Sequence, residues 1–339
     1  MEEATPRLSV VIAARDAAAT LNACLDGASA QAGADCEIIV VDDCSRDGTA
    51  AIAERSEVKL IRLREHRGVA AARNAGARAA RAPVLLFLDA DVVPARDLFK
   101  AGLATMAERD ADAVIGSYDD EPAVDSVVSR FKNLAHHYFH QNSDGITTTF
   151  WGACGFIRRD VFLDAGGFDE TRFVLPSIED VELGARVAER GAKIFIHPAL
   201  HVTHLKRWTL ANLLVVDITR RAIPWAILGL EHGKLPGNLN FSWEQRLAGM
   251  VAVAAFAALL WLLFNLGSAL CWIAMAILVL VAIALNRGLY SLFLEKGGLK
   301  LAVCGFLLQQ LYYLYSLSGL VAGVIIYMVR RKPTPAPSR

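Results

Sequence analysis

Asp89-Ala90-Asp91 follows directly on the apolar run Val84-Leu85-Leu86-Phe87-Leu88. Five consecutive apolar residues predict a strand buried on both faces, as in a parallel sheet covered by helices. Ligands of open α/β sheets bind beyond the carboxyl ends of such strands. Two carboxylates one residue apart at that edge offer hard oxygen donors, suited to Mg²⁺ or Mn²⁺ carrying a diphosphate. The competing reading is a pair of solvated loop acids after a strand.

The rest of the chain narrows the choice. Its 339 residues carry 35 Lys and Arg against 35 Asp and Glu, so no net field draws it to nucleic acid. Apolar residues make up 54% of the chain, high for an ordinary soluble enzyme, and the excess is concentrated after Arg246. Residues 247–264 and 268–285 contain no charge. Each run is about 18 residues, or roughly 27 Å of helix, close to the hydrocarbon thickness of a bilayer. Asn265-Leu266-Gly267 between them is a turn signal, so the pair predicts a transmembrane hairpin. A third uncharged stretch, 301–329, ends at Arg330-Arg331-Lys332 and carries Gln309, Gln310, Tyr312, Tyr313 and Tyr315, which leaves open whether it crosses or lies partly at the interface. The expected division is therefore a globular domain over 1–210, interfacial helices over 211–246, about three transmembrane helices over 247–329, and a tail over 330–339. The N-terminus lacks the layout of a signal peptide. Arg246 before the hairpin and Arg287, Lys296 and Lys300 after it place both flanks inside. The expectation is a multi-pass protein of the cell (inner) membrane with a cytoplasmic globular domain. Six cysteines without a Cys-x-x-Cys pair fit reduced thiols.

Within the globular part, residues 8–13, 37–41, 58–63 and 84–88 read as strands and 17–31, 49–55 and 70–81 as helices. That alternation predicts an α/β fold with a doubly wound, mainly parallel sheet. Two strands, ending in Asp42-Asp43 and in Asp89-Ala90-Asp91, deliver paired acids to one edge. Between 113 and 205 the pattern loosens. A strand is expected at 113–116, an extended piece at 147–157, a short helix at 161–165, a helix at 181–190 and a last strand at 193–197, which His201 and His204 would follow.

The ordered set Val40-Val41-Asp42-Asp43-Cys44-Ser45-Arg46-Asp47-Gly48-Thr49, Ala72-Arg73-Asn74-Ala75-Gly76, Asp89-Ala90-Asp91, Gly166-Gly167-Phe168-Asp169 and Glu179-Asp180-Val181-Glu182-Leu183 resembles the family-2 glycosyltransferases. The resemblance covers nearly all of residues 7–210. It implies a GT-A fold, a nucleotide-diphosphate sugar donor, a divalent cation (Mg²⁺ or Mn²⁺) and inversion at the anomeric carbon. The apolar C-terminal part is similar to that of members acting on lipid or lipid-linked acceptors.

Carried over residue by residue, the resemblance puts Asp42 and Asp43 at the nucleoside; local turn-making with Ser45 and Asp47 is the alternative. Ala13, Arg15 and Asp16 fall where the base is framed, with Ala14 standing where the family often has proline. Arg73 and Asn74, near a helix start, would approach the diphosphate, or else form a solvated helix face. Asp89 and Ala90 belong to the donor site, and Asp89, Asp91 and His204 to the metal. Asp180, with Glu179 beside it, matches the catalytic carboxylates; Ser177-x-x-Asp180 also reads as a capping box. Trp151-Gly152 lines the donor-sugar and acceptor pocket. His204-Leu205-Lys206-Arg207-Trp208 is similar to the Gln-x-x-Arg-Trp element of membrane polysaccharide synthases, with His for Gln, so that Arg207 would pair with the diphosphate and Trp208 stack on a sugar. A processive polysaccharide synthase and a non-catalytic membrane scaffold are the alternatives to a transferase of single sugars.

Overall fold

The computed structural model describes residues 5–143, 145–232 and 242–330. The first four residues, the tail after Arg330 and part of the stretch expected to be interfacial lie outside them. The chain divides into two compact units, Met1–Trp208 and Thr209–Arg339.

The first unit is built on one mixed sheet. Its strands are β1 (Leu8–Ala14), β2 (Cys36–Asp42), β3 (Lys59–Arg62), β4 (Val84–Asp89), β5 (Val92–Pro94), β6 (Ala113–Tyr118), β7 (Gly145–Thr147), β8 (Cys154–Arg158) and β9 (Ile194–His204). They run in the order β3-β2-β1-β4-β8-β6-β9-β5, with β7 paired to β9. The helices are α1 (Leu21–Ser29), α2 (Thr49–Arg55), α3 (Val69–Ala79), α4 (Leu98–Glu108), α5 (Val127–Gln141), α6 (Arg159–Asp164) and α7 (Glu179–Glu189). Strands β1 to β4 are mutually parallel, and β8 enters antiparallel between β4 and β6. Chain order runs outward from β1 through β2 to β3 and then returns to the other side of β1 for β4. The switch point therefore lies between β1 and β4, where Ala13 stands in register with Asp89.

Strand β4 is buried on both faces as its apolar run requires. Leu86 and Leu88 pack with Val10, Ile12 and Val40 under Leu21, Cys24 and Leu25 of α1. Phe87 points the other way, its ring centroid 5.2 Å from both Phe162 and Phe168 and 6.1 Å from Phe150.

Two features depart from the sequence reading. The last strand is not confined to 193–197 but continues to His204, so His201 and His204 lie within it. The reason is β5: immediately after Asp91 the chain turns back and pairs antiparallel with β9, Val92 opposite His204. Helix α5 occupies a stretch for which no element is expected, started by the Ser126 hydroxyl accepting from the Ser129 N–H.

The second unit is helical. Leu210–Val215, a π-helical stretch Val216–Ala222 and Ile223–His232 follow one another in sequence, and the helices Trp243–Leu263, Ala269–Leu285 and Arg287–Arg330 follow, the last interrupted at Gly297 and Gly298. The stretch expected to be interfacial contributes a packed helix: a Cβ at Gly319 would meet Ala222 Cβ at 2.4 Å, and one at Gly323 would meet Ala226 Cβ at 2.6 Å. Small residues four apart on both partners let the backbones approach, a packing mode of helices in lipid. Trp243–Leu263 and Arg287–Arg330 are long and apolar enough to cross a membrane; Ala269–Leu285, with 17 residues, is shorter. Gln309, Tyr313 and Tyr315 are buried among the helices. The Tyr313 hydroxyl lies 2.7 Å from Gln245 Oε1 and 3.1 Å from Asn286 Oδ1, and the Tyr315 hydroxyl donates to Asp217 Oδ2 at 2.7 Å.

Candidate active site

Three parallel strands bring their loops to the carboxyl edge around the switch point. The loops after β1 and β2 are tied together: Arg46 N–H donates to Asp16 Oδ1 at 2.7 Å, Asp16 N–H to Ser45 Oγ at 3.0 Å, and Ala17 N–H to Thr49 Oγ1 at 2.8 Å. Arg15 and Asp16 are exposed there, and Ala13 is half-buried. Asp42 and Asp43 are both buried. Asp42 accepts from Ser45 N–H at 3.2 Å, the local turn foreseen as the alternative. Asp43 is occupied by the loop after β3, its oxygens accepting from Arg67 N–H at 2.7 Å and Gly68 N–H at 2.9 Å, with His66 Nδ1 2.7 Å away. Its carboxylate therefore shapes the loop that opens α3, a role the sequence pattern does not disclose.

Arg73 and Asn74 do not form a solvated face; each is 4% exposed. Asn74 Nδ2 donates to Phe168 O at 2.9 Å and Glu170 Oε1 at 2.8 Å, and its Oδ1 accepts from Phe168 N–H at 2.9 Å. Both bonds from the amide nitrogen thereby go to the segment Phe168–Glu170, so Asn74 braces that loop. Arg73 Nη2 donates to Asp89 Oδ1 at 2.7 Å and Nη1 to Glu179 Oε1 at 2.9 Å. The guanidinium thus binds acids and is not held open for a phosphate.

Asp91 faces the opposite way, toward β9. The β5–β9 pairing brings His204 Nε2 within 3.7 Å of Asp91 Oδ2, and Leu205 N–H donates to Asp91 O at 2.8 Å. Burial works against ionisation of Asp91, but His204, with Lys206 behind it, outweighs that and holds the carboxyl below the usual range. The His204 ring lies stacked on Tyr118, centroids 4.3 Å apart, which fixes its plane. Asp89, Asp91 and His204 do not form one ligand triad, because Asp89 is engaged by Arg73. Among the described residues no group of three His, Cys, Asp or Glu is gathered to hold an ion alone.

The second carboxylate region is the start of α7. The residue before this helix, Ile178, has no side chain that can cap it. Asp180 Oδ2 accepts from Gly152 N–H at 3.0 Å and Oδ1 from its neighbour Val181 N–H at 2.8 Å. Burial first, and the adjacent Glu179 charge second, push the Asp180 carboxyl up to about 6, against the pull of Arg73. Glu179 is 4% exposed, with Oε1 on Arg73 and Oε2 accepting from Ser177 N–H at 2.8 Å. Both of its oxygens are engaged, one by Arg73 and one by the turn before α7, a placement that the sequence does not disclose.

Gly152 has a stricter reason to be glycine than pocket lining. A Cβ there would stand 2.7 Å from Arg73 Cζ and 2.8 Å from both Nη atoms. Gly152→Ala is expected to displace the guanidinium and lower activity about tenfold to a hundredfold at unchanged fold, measured as turnover against melting temperature. Trp151 sits edge-on to Tyr118 at 4.9 Å and beside His136 and His140. Arg207 is exposed, but Trp208 is buried, its backbone N–H donating to Ser129 Oγ at 2.8 Å and its ring face covered by Lys206 Nζ at 4.7 Å. In this arrangement the ring packs within the globular unit and under Lys206. Tyr118 and His66 complete the site without any signal in the motif pattern.

This arrangement, a switch point between parallel strands flanked by acids from separate elements, matches a GT-A class of fold. Residues 9–166 match the sequence model of Glycosyl transferase family 2, so most of the globular unit is similar to members of that family. The succinoglycan biosynthesis protein ExoO of Rhizobium meliloti is 42% identical over 89 residues, 25% of this chain and 26% of that protein. A pre-mycofactocin glycosyltransferase of Mycobacterium tuberculosis is 26% identical over 247 residues, 69% of this chain and 48% of that protein. The chain thus spans half or less of the length of these two relatives. A solved mannosyltransferase, PcManGT from Pyrobaculum calidifontis, superimposes with a TM-score of 0.51 at 19% identity, covering 97% of this chain and 89% of that one.

Proposed function

We propose that this protein is a metal-dependent, inverting glycosyltransferase that moves a sugar from a nucleotide-diphosphate donor to a lipid or lipid-linked acceptor. The observation that carries the reading is the pair of acid regions joined through Arg73: Asp89 at the sheet edge on one side and Glu179, the neighbour of Asp180, on the other. The nucleotide occupies the crevice between β1 and β4, framed by Ala13, Arg15, Asp16 and Asp42, with Asp89 and Ala90 below it.

Asp91 and His204 fit a divalent cation: an oxygen and an imidazole nitrogen already face each other, and His204 is held in plane by Tyr118. Two protein donors suffice for Mg²⁺ or Mn²⁺, which complete their shells with phosphate oxygens and water and need no all-protein cage. PcManGT was solved in complex with GDP-Man and Mn²⁺, a nucleotide-diphosphate sugar with a divalent cation. The bound ion would offset the charge developing on the departing nucleotide. Asp180 takes the proton of the attacking acceptor hydroxyl from the face opposite the leaving group, as inversion requires. Gly152 N–H and Val181 N–H orient its carboxylate.

The acceptor assignment rests on the second unit, whose apolar helices Trp243–Leu263 and Ala269–Leu285 and the turn after the first expose Trp261, Phe264, Leu270 and Trp272. In a bilayer those surfaces are satisfied by lipid; a soluble unit would hide them. The globular unit lies on the cytoplasmic side, following Arg246, Arg287, Lys296 and Lys300.

The test is incubation of the full chain in detergent with UDP-glucose, UDP-GlcNAc and GDP-mannose, Mn²⁺ and extracted membrane lipids, weighing the products. A lipid gaining one hexose-type unit supports the reading; intact donors with every lipid fraction would refute it. The base must be ionised to act, so kcat should fall below about pH 6 and reach a plateau above it. A flat profile down to pH 4.5 would remove Asp180 from the role.

A further inference from the structure

We infer that Arg73 and Glu179 form a positioning strut, holding the segment that carries Asp180 at a fixed distance from the donor-binding edge. The inference rests on the transferase reading above and assigns to these two residues a role other than contact with donor or acceptor.

The strut is continuous. Asp89 closes β4, Arg73 sits in the second turn of α3, and Glu179 opens α7, so one guanidinium joins three elements separated by 16 and 106 positions in sequence. Glu179 Oε2 adds a bond to Ser177 N–H, fastening the turn that leads into the helix. Asp180 is the next residue, and its own carboxylate is fixed from the far side by Gly152, whose missing side chain makes room for Arg73. Phe168 supports the guanidinium at 5.4 Å and is in turn held on both its backbone groups by Asn74. Each residue that positions Asp180 is thus positioned by Arg73 or by what touches it.

Stability alone does not explain such a device. A buried ion pair gains little over well-packed apolar residues of similar volume. Arg73 also leaves its Nε–H without an acceptor among the described residues, a further penalty. What the pair supplies is geometry: a planar fork reads two carboxylates at defined angles, which a lysine cannot do. A base misplaced by about 1 Å can cost about a hundredfold in rate.

The charged groups that act on Asp180 are Glu179 on its own helix and Arg73 from α3. Two substitutions at Glu179 separate charge from reach. Glu179→Gln keeps the length and removes the charge; Glu179→Asp keeps the charge and falls short of Arg73. Both are expected to lower kcat about a hundredfold, with the donor KM within about threefold of the parent. The acid limb of the pH profile should move to lower pH in Glu179→Gln and stay in place in Glu179→Asp, a readout that a general loss of folding would not produce. Wild-type kcat in either variant, or a donor KM rising in step with the loss, would overturn the inference. A substrate-free arm uses melting of the full chain in detergent through the double-mutant cycle of Arg73→Lys and Glu179→Gln. The strut predicts strongly non-additive losses, and additive losses would contradict it. If the parent protein transferred no sugar, the functional reading would fail while this cycle still decided the strut.

Discussion

Exchange of Asp180 for asparagine should lower kcat for sugar transfer about a thousandfold, within the range that one general base supplies. Donor KM should barely change, because Asp180 acts on the acceptor hydroxyl and not on the nucleotide. The melting temperature at pH 7 should not drop. The Asp180 carboxyl is pushed up to about 6 in the folded chain, chiefly by burial, so its ionised form is held there at a cost. A carboxyl whose folded pKa exceeds the unfolded one weakens the fold once pH passes the unfolded value, and a neutral amide removes that penalty. Loss of activity together with a marked loss of stability would mean that Asp180 supports the start of α7 and does not act as the base.

Removal of divalent metal has the second large expected effect. A chelator should abolish transfer, and added Mn²⁺ should restore it. Asp91→Asn and His204→Ala should each cost about a hundredfold or more at limiting Mn²⁺, since several kcal/mol of leaving-group stabilisation are at stake. The two variants should differ in rescue. His204→Ala leaves the hard carboxylate in place and should recover much of its rate at high Mn²⁺, whereas Asp91→Asn should not. Asp89→Asn should behave differently again. Its carboxylate is bound to Arg73, so the loss should persist at every metal concentration.

The same distinction shows what the sequence could and could not disclose. Strand β4 was legible because a run buried on both faces leaves an unbroken apolar signature, and the acids after it mark the sheet's ligand edge. That Asp89 and Asp91 part company was not legible. It follows from β5, three residues ending in proline, too short to carry a period, yet its pairing with β9 turns Asp91 toward His204 and extends the last strand by seven residues past His197. Helix α5 escaped for another reason: its buried positions Phe131, Leu134, Ala135 and Phe139 have helical spacing, but His136, His137 and His140 among them blur the apolar stripe. Asn74, Glu179 and Trp208 carry the right residue types for binding or catalysis. Only their hydrogen bonds and ring contacts show that each is already occupied within the fold. In the helical unit, composition revealed the apolar lengths, whereas the close approach of Gly319 and Gly323 to Ala222 and Ala226 depends on which faces meet.

The central claim is that donor, metal and base converge on the crevice at the end of β1 and β4. Its most direct test is a structure of the full chain in detergent with Mn²⁺ and the nucleoside diphosphate of the donor it turns over. The account predicts metal density at bonding distance, about 2.0–2.2 Å, from Asp91 and His204, with the nucleoside beside Asp42 and the open face of the diphosphate turned toward Asp180. A nucleotide bound elsewhere, or a metal held without Asp91 and His204, would contradict it.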